Sequence, residues 1–336
     1  MKTKNFKSKT IDMVPFGKEH YKKASDLVAA RYRAERKKNP LLVSRFEDPE
    51  AVLPCLGRYG ESKLGIAAVS ENELIGFLAA LPIVGRGLPA VWIRDWGHGA
   101  AALDRYGIYR MMYAAAAEGW VKEGRLVQAI SIFPGERDVL DAWFSLEFGK
   151  FGVDALMDVP ETVPKSPEAN IRRAGPGDLE TLIRYREAMA RYFNGTPVFA
   201  YTTGDFLRQG NDLFKKQLAD PGIAIWLACE NSRPVGCMKV IPSIQNDFHL
   251  TVTGEKTCSI TMAFIEEPYR GKGLATALLN KTLAWAKEKG YARCSVDFDS
   301  TNILGSRFWL SHFRPVGYGL ERRLDFRMSP DWRGEG

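Results

Sequence analysis

The sequence has no pair of cysteines at Cys-x-x-Cys spacing. Its five cysteines, Cys55, Cys229, Cys237, Cys258 and Cys294, are scattered through 336 residues, most in apolar, strand-like surroundings. That distribution argues against a structural zinc site and suits a reducing compartment, so a cytoplasmic protein is expected. Histidine is scarce: His20, His98, His249 and His312 show no ligand spacing, and no metal is expected. No apolar run is long enough to span a bilayer. Residues 1–9 carry charges with no apolar stretch behind them, which is not the pattern of a signal peptide. No membrane partner is expected. There is no acidic excess either: 47 Lys and Arg stand against 40 Asp and Glu, a net charge of +7. A basic balance suits a polyanionic ligand. With no long basic tract beyond the N-terminal tail and no recognised nucleic-acid motif, it gives little reason to expect nucleic acid.

What the chain does have is an ordered stretch at residues 257–290. Residues 258–265 are strand formers. A charged step, Glu266-Glu267-Pro268-Tyr269, leads to Arg270-Gly271-Lys272-Gly273-Leu274-Ala275. Beyond it, Ala277, Leu278, Leu283, Trp285 and Ala286 recur at helical spacing, and Gly290 is a natural stop. Strand, glycine turn and helix together make an anion site. The first N–H groups of a helix have no internal partners and carry the positive end of the dipole, while glycine lets backbone approach a ligand closely. Arg270 and Lys272 add positive charge. A Walker A loop is excluded by its spacing, and a dinucleotide fingerprint fails because Thr276 stands where its third glycine belongs.

The string instead resembles the pyrophosphate loop of the GNAT superfamily of N-acyltransferases, Arg/Gln-x-x-Gly-x-Gly/Ala. Arg270, Gly273 and Ala275 take its three defined positions, and Pro268-Tyr269 before it is usual for the family. The resemblance implies that acetyl-CoA is bound by Arg270, Gly271, Lys272, Gly273, Leu274 and Ala275. It also implies that backbone at Phe264 and Ile265 bonds the pantetheine arm like an added strand, with Asn302 and Trp309 further along. At motif level it covers residues 258–313 only.

In element order it covers the whole chain. Both halves read strand, helix, hairpin, strand, helix, strand, helix, strand. Residues 158–169, with Pro160, Pro164 and Pro167, interrupt the pattern. Agreement of residues 122–124 with 287–290, and of 142–148 with 307–313, suggests a duplication. The expected fold is α/β (α+β): two tandem GNAT-like domains, each a mixed, splayed central sheet flanked by helices. The expected limits are 1–160, a linker at 161–169, and 170–336. Aligning Gly124 with Gly290 sets Gly107 on Gly273, Asp104 on Arg270 and Tyr109 on Ala275. A carboxylate repels pyrophosphate and a tyrosine blocks close backbone approach, so only the second domain is expected to bind acyl-CoA. Residues 97–102, with His98, form an unusual small-residue loop where a cofactor strand of the first domain would end.

Direct acyl transfer needs a neutral amine, and hence an acceptor for its proton. Asp297 stands five residues before Asn302, where some family members carry a catalytic carboxylate, and Asp299 shares its strand face. Glu266 and Glu267 are rivals. Where the family often has a tyrosine that protonates the leaving thiolate, this chain has Trp309, whose indole is no useful acid. Tyr318 and solvent are the substitutes. The expected function is transfer of an acetyl group from acetyl-CoA to a primary amine on a small molecule or peptide. The alternative is a non-catalytic acyl-CoA-binding or sensing protein.

Overall fold

The protein is described here by a computed structural model covering residues 10–85, 87–102, 104–164, 169–243, 252–254 and 256–329. The N-terminal tail, His249 and residues 165–168 of the proline-rich segment lie outside these. The chain divides into two compact units. The first comprises residues 1–151 together with 316–336, the second residues 152–315.

The first unit opens with β1 (Asp12–Pro15), α1 (Tyr21–Lys38) and α2 (Pro49–Glu61). Then come β2 (Gly65–Ser70), β3 (Glu73–Ala79), β4 (Leu81–Gly85), β5 (Leu88–Ile93) and β6 (His98–Ala100), followed by α3 (Arg105–Lys122), β7 (Val127–Ile132) and α4 (Arg137–Phe144). The sequence reading contains no helix at α2, whose Gly57, Gly60 and Pro54 mask its apolar spacing. Its start is nevertheless well marked: Asp48 accepts from the Glu50 N–H at 3.0 Å, and Pro49 follows at the first turn. The expected hairpin is β2–β3, where Glu71 and Asn72 both have positive φ, the conformation a two-residue connection requires. The core beneath α3 is built on Ile108, Tyr109, Met112, Trp120, Ile130 and Trp143.

The second unit contains β8 (Gly149–Asp158) from residue 152 onward, β9 (Asn170–Arg173), α5 (Leu179–Asn194), α6 (Gly204–Ala219), β10 (Ala224–Glu230) and β11 (Arg233–Pro242). It continues with β12 (Thr257–Ile265), α7 (Leu274–Glu288), β13 (Arg293–Asp299) and α8 (Ile303–Leu310). Its strands lie in the order β8-β13-β12-β11-β10-β9, all antiparallel except β12–β13. Leu182, Tyr185, Phe214 and Leu227 form a core where α5 and α6 meet β10 and β11.

The last strand, β14 (Arg314–Arg323), pairs antiparallel with β7 of the first unit, Tyr318 opposite Ile132 and Arg323 opposite Val127. Conversely β8 pairs with β13, Asp299 opposite Gly152 and Arg293 opposite Asp158. Each half of the sequence thus gives its final strand to the other unit. The expected consecutive domains, 1–160 and 170–336, differ from the observed units at these two strands. A period-two apolar pattern shows which residues of a strand are buried, and cannot show which sheet edge receives it.

Candidate active site

The site in the second unit arises where two parallel strands part. Residues 257–260 of β12 pair with residues 293–296 of β13. Both strands continue beyond this, β12 to Ile265 and β13 to Asp299, without further mutual pairing. The cause lies on the other edge of β12. Lys239 of β11 opposes Met262 while Val240 opposes Ile260, so Thr261 is an extra residue with no partner. A bulge of this kind bends and twists its strand. The edge of β12 from Thr261 to Ile265 is left as a row of backbone groups that no strand covers, and such groups demand partners. A cavity of about 590 Å³ opens there, within the range of small-molecule sites.

Phe264 and Ile265 line this cavity from β12, and Asp297 and Asp299 from β13. The sequence places the two aspartates on one strand face, and both reach the same cavity. Arg270, Gly271, Gly273, Leu274 and Ala275 line it from the loop. Gly271 and Gly273 both have positive φ, +73° and +78°, which only glycine adopts without strain. Gly273 is the N-cap of α7 and offers no side chain to it, and the first internal bond runs from the Ala277 N–H to the Gly273 carbonyl. The N–H groups of Leu274, Ala275 and Thr276 therefore have no partner further back in the helix. Lys272 is exposed beside the loop, its ammonium 5.1 Å from the Tyr269 ring centroid. Arg270 donates from Nε to the Ile265 carbonyl at 3.1 Å, so its charge is held at the end of β12.

Asn302, Phe308 and Trp309 close the α8 side. Asn302 is the N-cap of α8, and its Oδ1 accepts from the Gly305 N–H at 3.1 Å. Trp309 is buried in edge contact with Phe308 and Phe313. Neither Glu266 nor Glu267 lines the cavity, and Glu266 is paired with Arg233 at 2.6 Å. Tyr318 belongs to the first unit. It packs against that unit's core with the Lys150 ammonium 4.5 Å from its ring centroid, and burial raises its phenol pKa. Cys237 lines the cavity too, but burial pushes its thiol up to about 12, which leaves too little thiolate for it to serve as an acyl carrier. Among the described residues, no group of three or more His, Cys, Asp or Glu could hold a metal ion.

The sequence reading missed the α5 contribution. Met189, Tyr192 and Phe193 line the cavity, and the Tyr192 hydroxyl donates to Asn302 Oδ1 at 3.0 Å. The adjacent aromatics at the end of a helix, just before Asn194-Gly195, were the available signal.

The corresponding start of α3 in the first unit is chemically different. Asp104, with φ +51°, is the N-cap, and its carboxylate accepts from the Gly107 N–H at 3.0 Å. The helix starts therefore match Asp104 with Gly273. The alignment from the helix ends instead matched Gly107 with Gly273, because α3 has 18 residues and α7 has 15. The parallel pairing of β5 with β7 ends at Ile93 and Ile130, and buried side chains fill the interior near this end. Arg31 donates to Glu136 at 2.8 Å and to the Asp95 and His98 carbonyls. His98 meets the Tyr109 hydroxyl through Nδ1 and the Ser131 carbonyl through Nε2, each at 2.8 Å. Burial and the Arg31 charge hold the His98 pKa well below its ordinary value, so the ring is neutral.

Parting parallel strands with an uncapped helix start at their open end define the architecture of this cavity. Residues 186–310 match the sequence profile of the acetyltransferase (GNAT) family. That match covers most of the second unit, and the fold of the chain is similar to that of GCN5-related N-acetyltransferases over nearly its whole length. A GCN5-related N-acetyltransferase from Sphaerobacter thermophilus matches 95% of this chain and 96% of its own at TM-score 0.59 and 14% identity. A GCN5-related glucosamine N-acetyltransferase region of a fungal multi-domain GH3 beta-N-acetylglucosaminidase matches 94% of this chain and 38% of its own, at TM-score 0.54 and 15% identity. N-acetyltransferase 8B of Rattus norvegicus is 24% identical over 122 residues, 36% of this chain. That match spans half the length of the rat protein. No described helix is long and apolar enough to cross a membrane.

Proposed function

We propose that the second unit binds acetyl-CoA and transfers its acetyl group directly to a primary amine of a small molecule or peptide. The observation that carries this reading is convergence: the uncovered edge of β12 and the uncapped start of α7 face one cavity. In this reading the pyrophosphate lies on the N–H groups of residues 273–275, with Arg270 and Lys272 supplying charge. The arm runs along Phe264 and Ile265 and passes Asn302 and Trp309. The first unit, whose equivalent helix start is capped by Asp104, has a structural role. The amine nitrogen attacks the thioester carbonyl, the new C–N bond forms, and the C–S bond breaks with its electron pair on sulfur. Asp297 takes the amine proton, directly or through water. The thiolate is protonated by solvent, since Tyr318, the other donor the sequence left open, does not line the cavity.

An acceptor screen tests the reading. Acetyl-CoA is incubated with a panel of aminoglycosides, polyamines, amino acids and peptides, and free thiol release is followed. Accelerated release with at least one amine is expected. Acetyl-CoA binding with no acceleration across the panel favours the non-catalytic alternative, which the indole at Trp309 in place of an acidic hydroxyl supports. Absence of binding overturns both.

A further inference from the structure

We propose that Tyr192 is a positioning residue: it orients the Asn302 amide so that its NH₂ group donates to the arm of a bound acyl-CoA. The inference rests on the acetyl-CoA reading of the cavity and adds to it a residue that the loop motif does not contain. Asn302 Oδ1 accepts two hydrogen bonds, from the Gly305 N–H at 3.1 Å and the Tyr192 hydroxyl at 3.0 Å. Each fixes something different. The Gly305 N–H determines which end of the amide carries oxygen, because an NH₂ there would meet another donor. The Tyr192 hydroxyl, arriving from α5, restrains the torsion of the amide about its own axis. With the oxygen engaged twice, the NH₂ is the end with no hydrogen-bond partner among the described residues.

Two further features fit. A Cβ at Gly305 would lie 2.4 Å from Asn302 Nδ2, so the amide occupies the space that any other residue at 305 would fill. Tyr192 is itself held, since the Arg270 guanidinium lies 5.2 Å from its ring centroid and Arg270 is tied to the Ile265 carbonyl. A chain of contacts thus runs from the end of β12 through Arg270 and Tyr192 to the N-cap of α8. It joins elements on both sides of the strand split, and Tyr192, Arg270, Ile265 and Asn302 all line the cavity.

The test is a double-mutant cycle on acetyl-CoA binding, measured by calorimetry with Tyr192→Phe, Asn302→Ala and the double variant. Phe keeps the ring and its contact with Arg270 and removes only the hydroxyl, so folding is not at risk. Tyr192→Phe is expected to weaken acetyl-CoA binding about threefold to tenfold, the worth of one hydrogen bond. The double variant should be no weaker than Asn302→Ala alone, because Tyr192 acts through Asn302. Adenosine 3′,5′-bisphosphate, which lacks the arm, should bind parent and Tyr192→Phe equally. Multiplicative losses in the cycle, an unchanged acetyl-CoA affinity in Tyr192→Phe, or an equal loss for the arm-less nucleotide each overturn the proposal. A parent protein that binds no acetyl-CoA overturns the underlying reading as well, and that outcome is visible before any variant is measured.

Discussion

At the scale of single residues, two carboxylates carry opposite expectations. Asp297 is exposed at the cavity wall. In the proposed reaction, Asp297→Asn keeps size and hydrogen bonding but cannot accept a proton. It should lower the acyl-transfer rate about 10²–10⁴-fold while changing acetyl-CoA affinity little. The deficit should be largest near neutral pH and shrink where the acceptor amine deprotonates unaided. A pH–rate profile identical to the parent's would assign the proton to water. Glu35, by contrast, is buried in the first unit, and burial together with the Glu136 charge raises its pKa. A group that holds its proton more tightly when folded stabilises the protein at low pH, and that contribution is lost as pH rises through the folded value. Glu35→Gln removes the titration. Its thermal stability relative to the parent should therefore improve as pH climbs from the ordinary carboxylate range toward neutrality. A difference in melting temperature that stays constant with pH would show that Glu35 does not couple to folding.

At the scale of elements, the two helix starts differ: α7 begins uncapped beside the cavity, and α3 begins self-capped. Gly273 leaves the first N–H groups of α7 without a side-chain acceptor, whereas Asp104 supplies one to α3. Both positions have positive φ, so the difference lies in the side chain rather than the backbone path. Gly273→Val introduces a β-branched residue where φ is +78°, and it obstructs close approach to the N–H groups. Acetyl-CoA affinity should fall about tenfold to several-hundredfold, the loss of one or two charge-assisted hydrogen bonds. Circular dichroism would verify that the fold survives, and a folded variant with parental affinity would move the site elsewhere. The glycine turn was legible because positive φ at Gly271 and Gly273 favours glycine. The bulge at Thr261 was not, since nothing about a threonine in a run of strand formers announces an unmatched residue. Tyr192 was overlooked for a related reason: its role depends on Asn302, 110 residues away.

At the scale of the whole molecule, the crossed final strands change what counts as a domain. Residues 1–160 expressed alone lack β14 and leave the β7 edge uncovered, while residues 170–336 lack β8 and leave the β13 edge uncovered. Leu320 of β14 is fully buried in the first unit's core, and Ala155 and Leu156 of β8 are buried in the second unit. Each half expressed alone should be insoluble or lack cooperative unfolding, and co-expression of both should restore soluble protein, because open strand edges and missing core residues are both penalised. A soluble half with a sharp thermal transition would contradict this.

The sequence by itself determined most of the elements and the glycine turn before α7. Helical and strand periodicity, together with glycines at positions requiring positive φ, are local properties that any fold containing the segment must satisfy. Tertiary structure alone decided where β8 and β14 pair, that β12 leaves β13 after Ile260, and that α5 completes the cavity. Pairing between strands depends on register and available edges, which are properties of two segments at once. One segment's residue pattern carries no record of its partner.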